Sequence, residues 1–518
     1  MRGLDAAAGG PYTATIVIRA GTVEPRLRGM GTRFLSSFAI LQFLFVVAVR
    51  GAVASCDLWT YGYNSPASDV DQALGAAFDQ TGNLVVAGFE NRPDLGQDKD
   101  WRVTKLDRSG AVVWSRSFAS AGGTEDVANA VTTDNSNNVV VAGWSSGNWL
   151  VRKYTAAGDD MWFAAGSVAG AALSVACDST GNVFVTGYES GAPGTAVVTR
   201  KYLSTGSLVW SRSHYASSSN EAEGCGIAVT AQGGSVVGGY AVGPGGDPDW
   251  LILKYDTAGN LQFARTYDGS GGGGDKLSGI AVAPDGRIVA AGTLGGEPPT
   301  RPTWSVASFD SEGSQVWQRV VMGAFDASDR VEVAVDSGGR IATVGFPCNS
   351  SSANSCNDPS LHVFDRGGTK IWSAAIPYMV RAMGVAVHGE ELIAVVGYDA
   401  WDRFLPEQNW YVQEFLDPAA CPGHVKEAEH SKSYLVVYPN PVSGDWFSVK
   451  VPSMNATIEL EVLNGAFQRV WSGTYTNEPR SAGGVTVRGV SRWAPGVYYV
   501  VAKEFAGVSS MARVVVKR

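Results

Sequence analysis

The 518-residue sequence has few histidines, few charged side chains and no basic cluster. Its 40 lysines and arginines are outnumbered by 49 acidic residues, which gives a formal charge of −9. A protein that binds nucleic acid needs a basic face to neutralise phosphates, and no lysine- or arginine-rich stripe is present. We therefore predict no nucleic-acid partner.

Patterns typical of enzymes are scarce as well. The five histidines show no metal-ligand spacing, and no Gly-x-Ser-x-Gly elbow lies between a strand and a helix. We predict no catalytic residue, no metal and no cofactor. One enzymatic alternative stays open, because two carboxylates on different repeats could meet across a channel, as they do in glycoside hydrolases.

Helical periodicity is absent after residue 56, whereas glycine is abundant, with 64 residues, and charged residues make up only 17%. This composition favours short strands and tight turns. The length calls for several domains or one large repeat domain.

The N-terminal region carries an export signal. Residues 1–29 are predicted to precede the true start, and residues 30–54 form a signal peptide with an apolar run over 34–49 and small residues at its end. The run is shorter than the ~20 residues that span a bilayer, so we predict no transmembrane segment in the mature chain. The alternative is a lipoprotein, because Val53–Cys56 resembles a cleavage box that would lipidate Cys56.

A hairpin phrase recurs along the chain. "KLDRSGAVVWSRS" at 105–117 returns as "KYLSTGSLVWSRS" at 201–213 and more loosely elsewhere. Each repeat contains four strand candidates, and a period of ~40–50 residues is typical of propellers and solenoids. The turn after the first strand recurs at Gly82, Asn137, Gly181, Gly233, Gly286, Gly339 and Gly389. The sequence therefore predicts seven repeat units, numbered here 1 to 7 in the order of these turns.

An aromatic residue marks the fourth strand of six units: Trp114, Trp162, Trp210, Phe263, Trp317 and Trp372. The seventh unit has none, but Trp59 stands before the first unit. Such borrowing of a strand from the opposite terminus resembles the seven-bladed β-propellers of exported bacterial repeat proteins, and we place this domain at 55–417. The resemblance implies an all-β fold. The Asp and Gly of the phrase suit a tight turn, and the tryptophan packs one blade against its neighbour.

The connections between second and third strands vary, and variable loops on a rigid scaffold commonly carry binding sites. We therefore place ligand binding on that face and treat the opposite face, with its short repeated turns, as featureless. Trp401 and Phe404 lie in the longest loop. Aromatic residues that end the second strands form another candidate set: Trp144, Tyr188, Tyr240 and Tyr398, with Phe89 and Phe346 in the same position. They could stack a sugar or peptide at a channel mouth, or they could pack between blades.

Two acidic pairs, Asp98/Asp100 and Asp247/Asp249, could offer oxygens to calcium. Their spacing matches no regular calcium loop, so solvated loop carboxylates are the favoured interpretation. No metal site is predicted from them.

Residues 418–433 form a polar linker, after which short strands and polar turns follow. The segment 434–518 resembles the type A sorting domain of proteins exported by the type IX secretion system, a small immunoglobulin-like β-sandwich. The matching residues are Tyr438, Pro439, Asn440, Pro441, Pro495, Gly496, Tyr498, Lys517 and Arg518. The resemblance implies that this segment binds the secretion machinery and that the protein is secreted or reaches the cell surface. Trp493 departs from the pattern, where leucine is commoner, and a plain accessory sandwich is the alternative.

Six cysteines in an exported protein can form disulfides. Aligning the repeats on the tryptophan and on the turn aspartate places Cys56 and Cys421 at the same corner, so we predict a disulfide that pins the borrowed strand. The other predicted pairs are Cys348 with Cys356 and Cys177 with Cys225.

These features together predict an exported, non-enzymatic binding or adhesion protein, secreted or attached to the cell surface, whose ligand is a carbohydrate or a protein. The alternative is a secreted propeller enzyme, a glycoside hydrolase or polysaccharide lyase, with acids across the channel.

Overall fold

The computed structural model describes residues between 56 and 516, with internal gaps. The gaps are 66–69, 94–97, 122, 217–220, 244–245, 270–273, 296–302, 323–329, 347–358, 377–378, 400–407, 417–435, 439–445, 451–456, 464–468, 477–484, 489, 494–495 and 505–508. The predicted signal peptide and linker lie outside the described residues, as do Cys348, Cys356, Trp401, Phe404, Cys421, Pro439, Asn440, Pro441, Pro495, Lys517 and Arg518.

The described chain begins with strand β1 (Cys56–Tyr63). Unit 1 is an antiparallel sheet ordered β2-β3-β4-β5, with β2 (Gln72–Phe78), β3 (Leu84–Asn91), β4 (Lys99–Leu106) and β5 (Val112–Phe118).

Units 2 and 3 share one seven-stranded sheet. Its strands are β6 (Asp126–Thr133), β7 (Val139–Ser145), β8 (Asn148–Tyr154), β9 (Asp160–Cys177), β10 (Val183–Gly191), β11 (Gly194–Tyr202) and β12 (Leu208–His214). The 18-residue β9 pairs with β8 along its first part and with β10 along its second part. It is therefore both the fourth strand of unit 2 and the first strand of unit 3.

Units 4, 5 and 6 are separate four-stranded sheets, each ordered as in unit 1. Unit 4 contains β13 (Ala222–Val229), β14 (Ser235–Val242), β15 (Pro248–Tyr255) and β16 (Leu261–Tyr267). Unit 5 contains β17 (Lys276–Val282), β18 (Ile288–Leu294), β19 (Thr303–Phe309) and β20 (Gln315–Met322). Unit 6 contains β21 (Glu332–Val335), β22 (Ile341–Gly345), β23 (Ser360–Phe364) and β24 (Lys370–Ala375).

Unit 7 takes its fourth strand from the N-terminal end of the described chain. Its own strands are β25 (Arg381–His388), β26 (Leu392–Asp399) and β27 (Asn409–Leu416). Strand β1 pairs antiparallel with β27, with Cys56 opposite Leu416 and Tyr63 opposite Trp410. The strand around Trp59 thus lies where the repeat pattern predicted it.

The C-terminal segment forms two further antiparallel sheets, ordered β28-β29-β32 and β31-β30-β33-β34. Their elements are β28 (Val436–Tyr438), β29 (Trp446–Lys450), β30 (Thr457–Leu463), β31 (Arg469–Thr476), β32 (Val485–Arg488), a 3₁₀ turn (Val490–Arg492), β33 (Gly496–Glu504) and β34 (Ser509–Val516).

The predicted all-β class is confirmed, since several antiparallel sheets make a β-propeller-like protein and the described residues include no α-helix. Nowhere in the described part of the chain does a helix have the length and hydropathy to cross a membrane.

The core lies between neighbouring sheets. Second strands such as β3 are buried along nearly their whole length, because another sheet covers each of their faces. Fourth strands such as β20 are largely exposed because they lie at a sheet edge, and Trp317 is the buried residue of β20. The largest fully buried side chains include five tryptophans of third strands: Trp101, Trp149, Trp250, Trp304 and Trp410.

Cys177 and Cys225 are free thiols. The residue of β13 equivalent to Cys177 is Val229, which lies four positions beyond Cys225. Four strand residues span roughly 13 Å, whereas a disulfide needs Cα atoms within ~7 Å. The predicted Cys177–Cys225 disulfide is therefore wrong, and burial raises the pKa of both thiols to about 12.

Candidate functional site

Each fourth-strand tryptophan described below packs on the hairpin turn, between third and fourth strands, of the following unit. The indole Nε1 of Trp114 donates to the carbonyl of Ala156 at 3.0 Å. Its ring lies so close to Gly158 that an added Cβ atom would be 2.8 Å away. The same donation joins Trp59 to Arg108, Trp162 to Ser204, Trp210 to Thr257 and Trp317 to Arg366. The predicted packing role of these tryptophans is confirmed.

An arginine two residues after the aromatic residue strengthens this contact, and the sequence analysis did not identify it. Arg116 Nε donates to the carbonyl of Gly158 at 2.7 Å, and its guanidinium carbon lies 5.7 Å from the centre of the Trp114 ring. The equivalent bonds are Arg212 to Gly259, Arg265 to Glu312 and Arg319 to Gly368. We call the aromatic residue, this arginine and the turn they contact the inter-unit joint. The sequence signal was the recurrence of "WSR", "FAR" and "WQR".

A second arginine bridges the two turns within some units. Arg108 Nε donates to the carbonyl of Thr81, in the first turn of unit 1, at 2.7 Å. Arg366 makes the equivalent bond to the carbonyl of Gly338 in unit 6 at 3.0 Å. In unit 3 the same position holds Ser204, whose side chain is too short to make the bridge.

A groove opens where both arginines are replaced by small residues. Ala164 stands in place of the joint arginine between units 2 and 3, and Ser204 stands in place of the bridging arginine of unit 3. The groove has a volume of about 510 Å³ and lies among the fourth strand of unit 2, the first turns of units 2 and 3, and the hairpin turn of unit 3.

The wall of the groove is partly aromatic and its rim is rich in hydroxyls. Trp162 is half-buried, whereas the three tryptophans followed by a joint arginine are only 6–9% exposed. Met161 beside it is 47% exposed. Four hydroxyls line the groove without a hydrogen bond to any described residue: those of Ser136, Ser179, Ser204 and Thr205.

A buried ion pair lies at this site. Lys153 Nζ is 2.8 Å from Asp134 Oδ2, and both side chains are at most 5% exposed. Burial by itself would raise the pKa of Asp134, but hydrogen bonds from Lys153 and Asn138 outweigh it and hold that pKa below its usual range. Lys105 and Asp79 form the same 2.8 Å pair in unit 1. The opposite charges of Lys153 and Asp134 cancel, so the pair adds no net charge to the groove.

The turn face, which carries both kinds of turn, therefore has a feature that the sequence analysis did not predict. The face was predicted to be featureless, because its turns are short and repeated. The groove depends on which side chains of neighbouring units meet, and a search for motifs within one unit does not reveal this.

On the opposite face, the second-strand aromatic residues lie between units. Tyr240 and Tyr398 are buried, as are Phe89 and Phe346. Lys276 Nζ lies 4.8 Å from the centre of the Tyr240 ring, and Trp149 Nε1 donates to the carbonyl of Tyr188 at 2.7 Å. These contacts fit the packing interpretation. Trp144 and Tyr188 are half-buried.

Three carboxylates come together where units 4 and 5 meet. Ligand atoms of Asp249, Asp268 and Asp275 all lie within 4.8 Å of one another, so a cation could be held there. Burial, followed by the charge of Asp268, raises the pKa of Asp249. Asp275 is already bonded to the backbone N–H groups of Gly269 and Gly295, which gives this carboxylate a structural role. Of the predicted acidic pairs, only Asp249 belongs to this cluster.

Comparison with known proteins gives remote likenesses. No protein-family model matches the chain, and no curated protein matches it. A crystal structure of a protein of unknown function from Bacteroides caccae is 12% identical with a TM-score of 0.39, covering 55% of this chain and 94% of that one. A fungal alcohol oxidase of the AA5 family, in complex with copper, is 14% identical with a TM-score of 0.46, covering 90% and 100%. Neither likeness is near enough to carry a function.

Proposed function

We propose that this chain is an exported, non-enzymatic binding or adhesion protein, displayed on the cell surface or secreted. Its seven units are the blades of one closed propeller over residues 55–417. Residues 30–54 direct export, and residues 434–518 are a sorting domain that binds the secretion machinery. The ligand is a carbohydrate or a protein.

Contacts between unit 7 and unit 1 support closure of the ring. Trp59, on β1, donates to the carbonyl of Arg108 in unit 1, and Trp410, on β27, donates to that of Phe89. The guanidinium of Arg102 lies 3.5 Å from the centre of the Tyr63 ring. These contacts are of the kind that joins consecutive units elsewhere.

The groove between units 2 and 3 is the main support for a binding function. Repeated contacts hold the units in place, so the scaffold is rigid and a local departure from the repeat becomes a defined concave surface. Its volume falls within the ~300–1,000 Å³ typical of small-ligand pockets.

Binding to arrays of glycans and extracellular-matrix proteins, together with a panel of polysaccharide substrates, tests this function on the full chain. A binding protein is retained on the arrays and releases no product. Turnover of a polysaccharide that is lost on replacing one channel carboxylate would instead establish the enzyme alternative. Deletion of residues 434–518 is expected to leave the protein in the periplasm, and unchanged surface display of the truncated chain would reject the sorting role.

A further inference from the structure

We propose that the groove between units 2 and 3 binds one ring of a neutral carbohydrate, an inference that rests on the proposed binding function and names its site and ligand class. The groove combines an apolar wall with a rim of hydroxyl groups. A sugar ring has an apolar face of C–H groups and an edge of hydroxyls. It therefore matches a site that combines part of an indole with several hydroxyl partners.

The tryptophan supplies the apolar part. One side of the Trp162 ring is covered by Gly206, where an added Cβ atom would lie 2.8 Å from the ring. Its N–H is already bonded to the carbonyl of Ser204 at 2.9 Å. The rest of the ring, together with Met161, contributes apolar surface to the groove. A ligand therefore meets a fixed aromatic surface, which loses little conformational freedom on binding.

The rim supplies hydrogen bonds. Ser136 and Ser179 belong to the first turns of units 2 and 3, and Ser204 and Thr205 belong to the hairpin turn of unit 3. All four hydroxyls have free donors and acceptors within the described residues. They come from three separate turns, so they can contact different hydroxyls of one ring.

The charge balance favours a neutral ligand. Asp134 and Lys153 are the ionisable groups among the described residues that line the groove, and they neutralise each other at 2.8 Å. A charged group buried here would have no free countercharge, and such burial is costly. A neutral sugar needs none.

Filling the groove with the arginine found in other units provides the test. Ser204→Arg is expected to bridge the turns of unit 3 as Arg108 and Arg366 do in units 1 and 6, with the fold intact. The probe is a panel of neutral mono- and oligosaccharides built from hexoses, pentoses and N-acetylhexosamines. Saturation-transfer NMR detects binding to the full chain, and titration calorimetry then measures the affinity. We expect Ser204→Arg to weaken binding at least about tenfold.

Two matched controls separate the groove from the scaffold. Thr257→Arg places the same side chain at the equivalent turn of unit 4, away from the groove, and is expected to leave binding unchanged. Trp162→Phe and Trp210→Phe each remove an indole N–H bond to the following turn. We expect only Trp162→Phe to weaken binding. Thermal unfolding of every variant checks that the fold is kept.

The outcomes separate this inference from the proposed function. Loss of sugar binding in Ser204→Arg and Trp162→Phe, with both controls unaffected, supports the site and the ligand class. Sugar binding that survives both groove variants rejects the site and leaves the binding function in place. Binding of a protein, but of no sugar, through this groove rejects the ligand class. Absence of any binding on the arrays rejects the proposed function itself, and this inference with it.

Discussion

Units 1 and 3 follow the same repeat, yet their turn faces differ at two positions. Unit 1 bridges its turns through Arg108, whereas unit 3 has Ser204 there. The joint that precedes unit 1 has Tyr61 at the position of the joint arginine, whereas the joint that precedes unit 3 has the smaller Ala164 there. The first turns of the two units share the same left-handed glycine and the same turn hydrogen bond, since Gly82 and Gly181 both have φ +79° and donate to the carbonyls of Asp79 and Asp178.

The backbone repeat and the side chains above it are therefore separable. Strands, turns and tryptophan contacts continue from unit to unit, while arginines of the turn face are present or absent. Where both arginines are absent, the backbone keeps its course and a groove remains. A repeat protein can thus acquire a binding surface by shortening side chains, with no new loop.

The largest expected effect is the loss of a tryptophan from a complete joint. Trp114→Ala removes a buried indole and should lower the free energy of unfolding by ~3–5 kcal/mol, because it leaves a cavity. Trp162→Ala, from the half-buried position without a joint arginine, should cost clearly less. Urea unfolding of both variants measures the difference, and equal losses would show that the two joints are not different in strength.

Glycine in the hairpin turn gives the next largest effect. Gly158 has φ +88°, and a Cβ atom there would lie 2.8 Å from the Trp114 ring. Gly158→Ala should therefore cost ~1–2 kcal/mol for the left-handed backbone and a further ~1–3 kcal/mol for overpacking. Gly147→Ala is the matched control, because Gly147 has φ +77° but nothing within 4 Å of the added atom. Equal losses of stability in both variants would show that an added Cβ atom at residue 158 does not overpack against the Trp114 ring.

Much of the fold could be predicted because its signals are local. The turn positions from Gly82 onward and the tryptophans from Trp114 onward follow from residue type and spacing. The position of β1 beside β27 followed from counting, since the seventh unit lacked a fourth strand and Trp59 had no unit of its own.

The remainder depends on contacts between units, which spacing within one unit does not reveal. The role of Arg116 could not be predicted from its own unit, because its side chain contacts the hairpin turn of unit 2. The free Cys177 and Cys225 show that residues on adjacent units can lie at different heights along their strands. The continuous β9 was not predicted, because four strand candidates in each unit do not show that the fourth strand of unit 2 continues into the first strand of unit 3. The groove forms because Ser204 and Ala164 are small residues at positions where other units have arginines.

Acid should weaken the buried lysine–aspartate ion pair that units 1 and 2 share. The pKa of Asp134 lies below its usual value in the folded state. The stability that the ionised carboxylate contributes is therefore fully present above pH ~4, the pKa of aspartate in the unfolded chain. That stability is lost as the pH falls from there through the lower folded value. A double variant, Asp134→Asn with Lys153→Met, removes both charges and should change stability little at pH 7. Its unfolding free energy between pH 5 and pH 3, followed by urea titration, should fall less than that of the unaltered protein; an equal fall would assign the acid sensitivity to other carboxylates.

The smallest expected effect is a gain, from restoring the joint between units 2 and 3. Ala164 pairs with Val151 as Arg116 pairs with Val103, so Ala164→Arg places a guanidinium where it can donate to the carbonyl of Gly206. One added hydrogen bond from a charged group is worth ~1.5–3 kcal/mol before the loss of side-chain freedom, and we expect a net gain of about 1 kcal/mol. Ala164→Lys is the control, because lysine has the charge but not the planar donor group that reaches a turn carbonyl in the other joints. A higher urea midpoint for arginine alone would show that the joint is a transferable part of the repeat. A gain of the same size for lysine would show that the added positive charge alone stabilises the protein. A loss of stability for arginine would mean that the arginine does not fit the geometry of this joint, where β9 continues unbroken into unit 3.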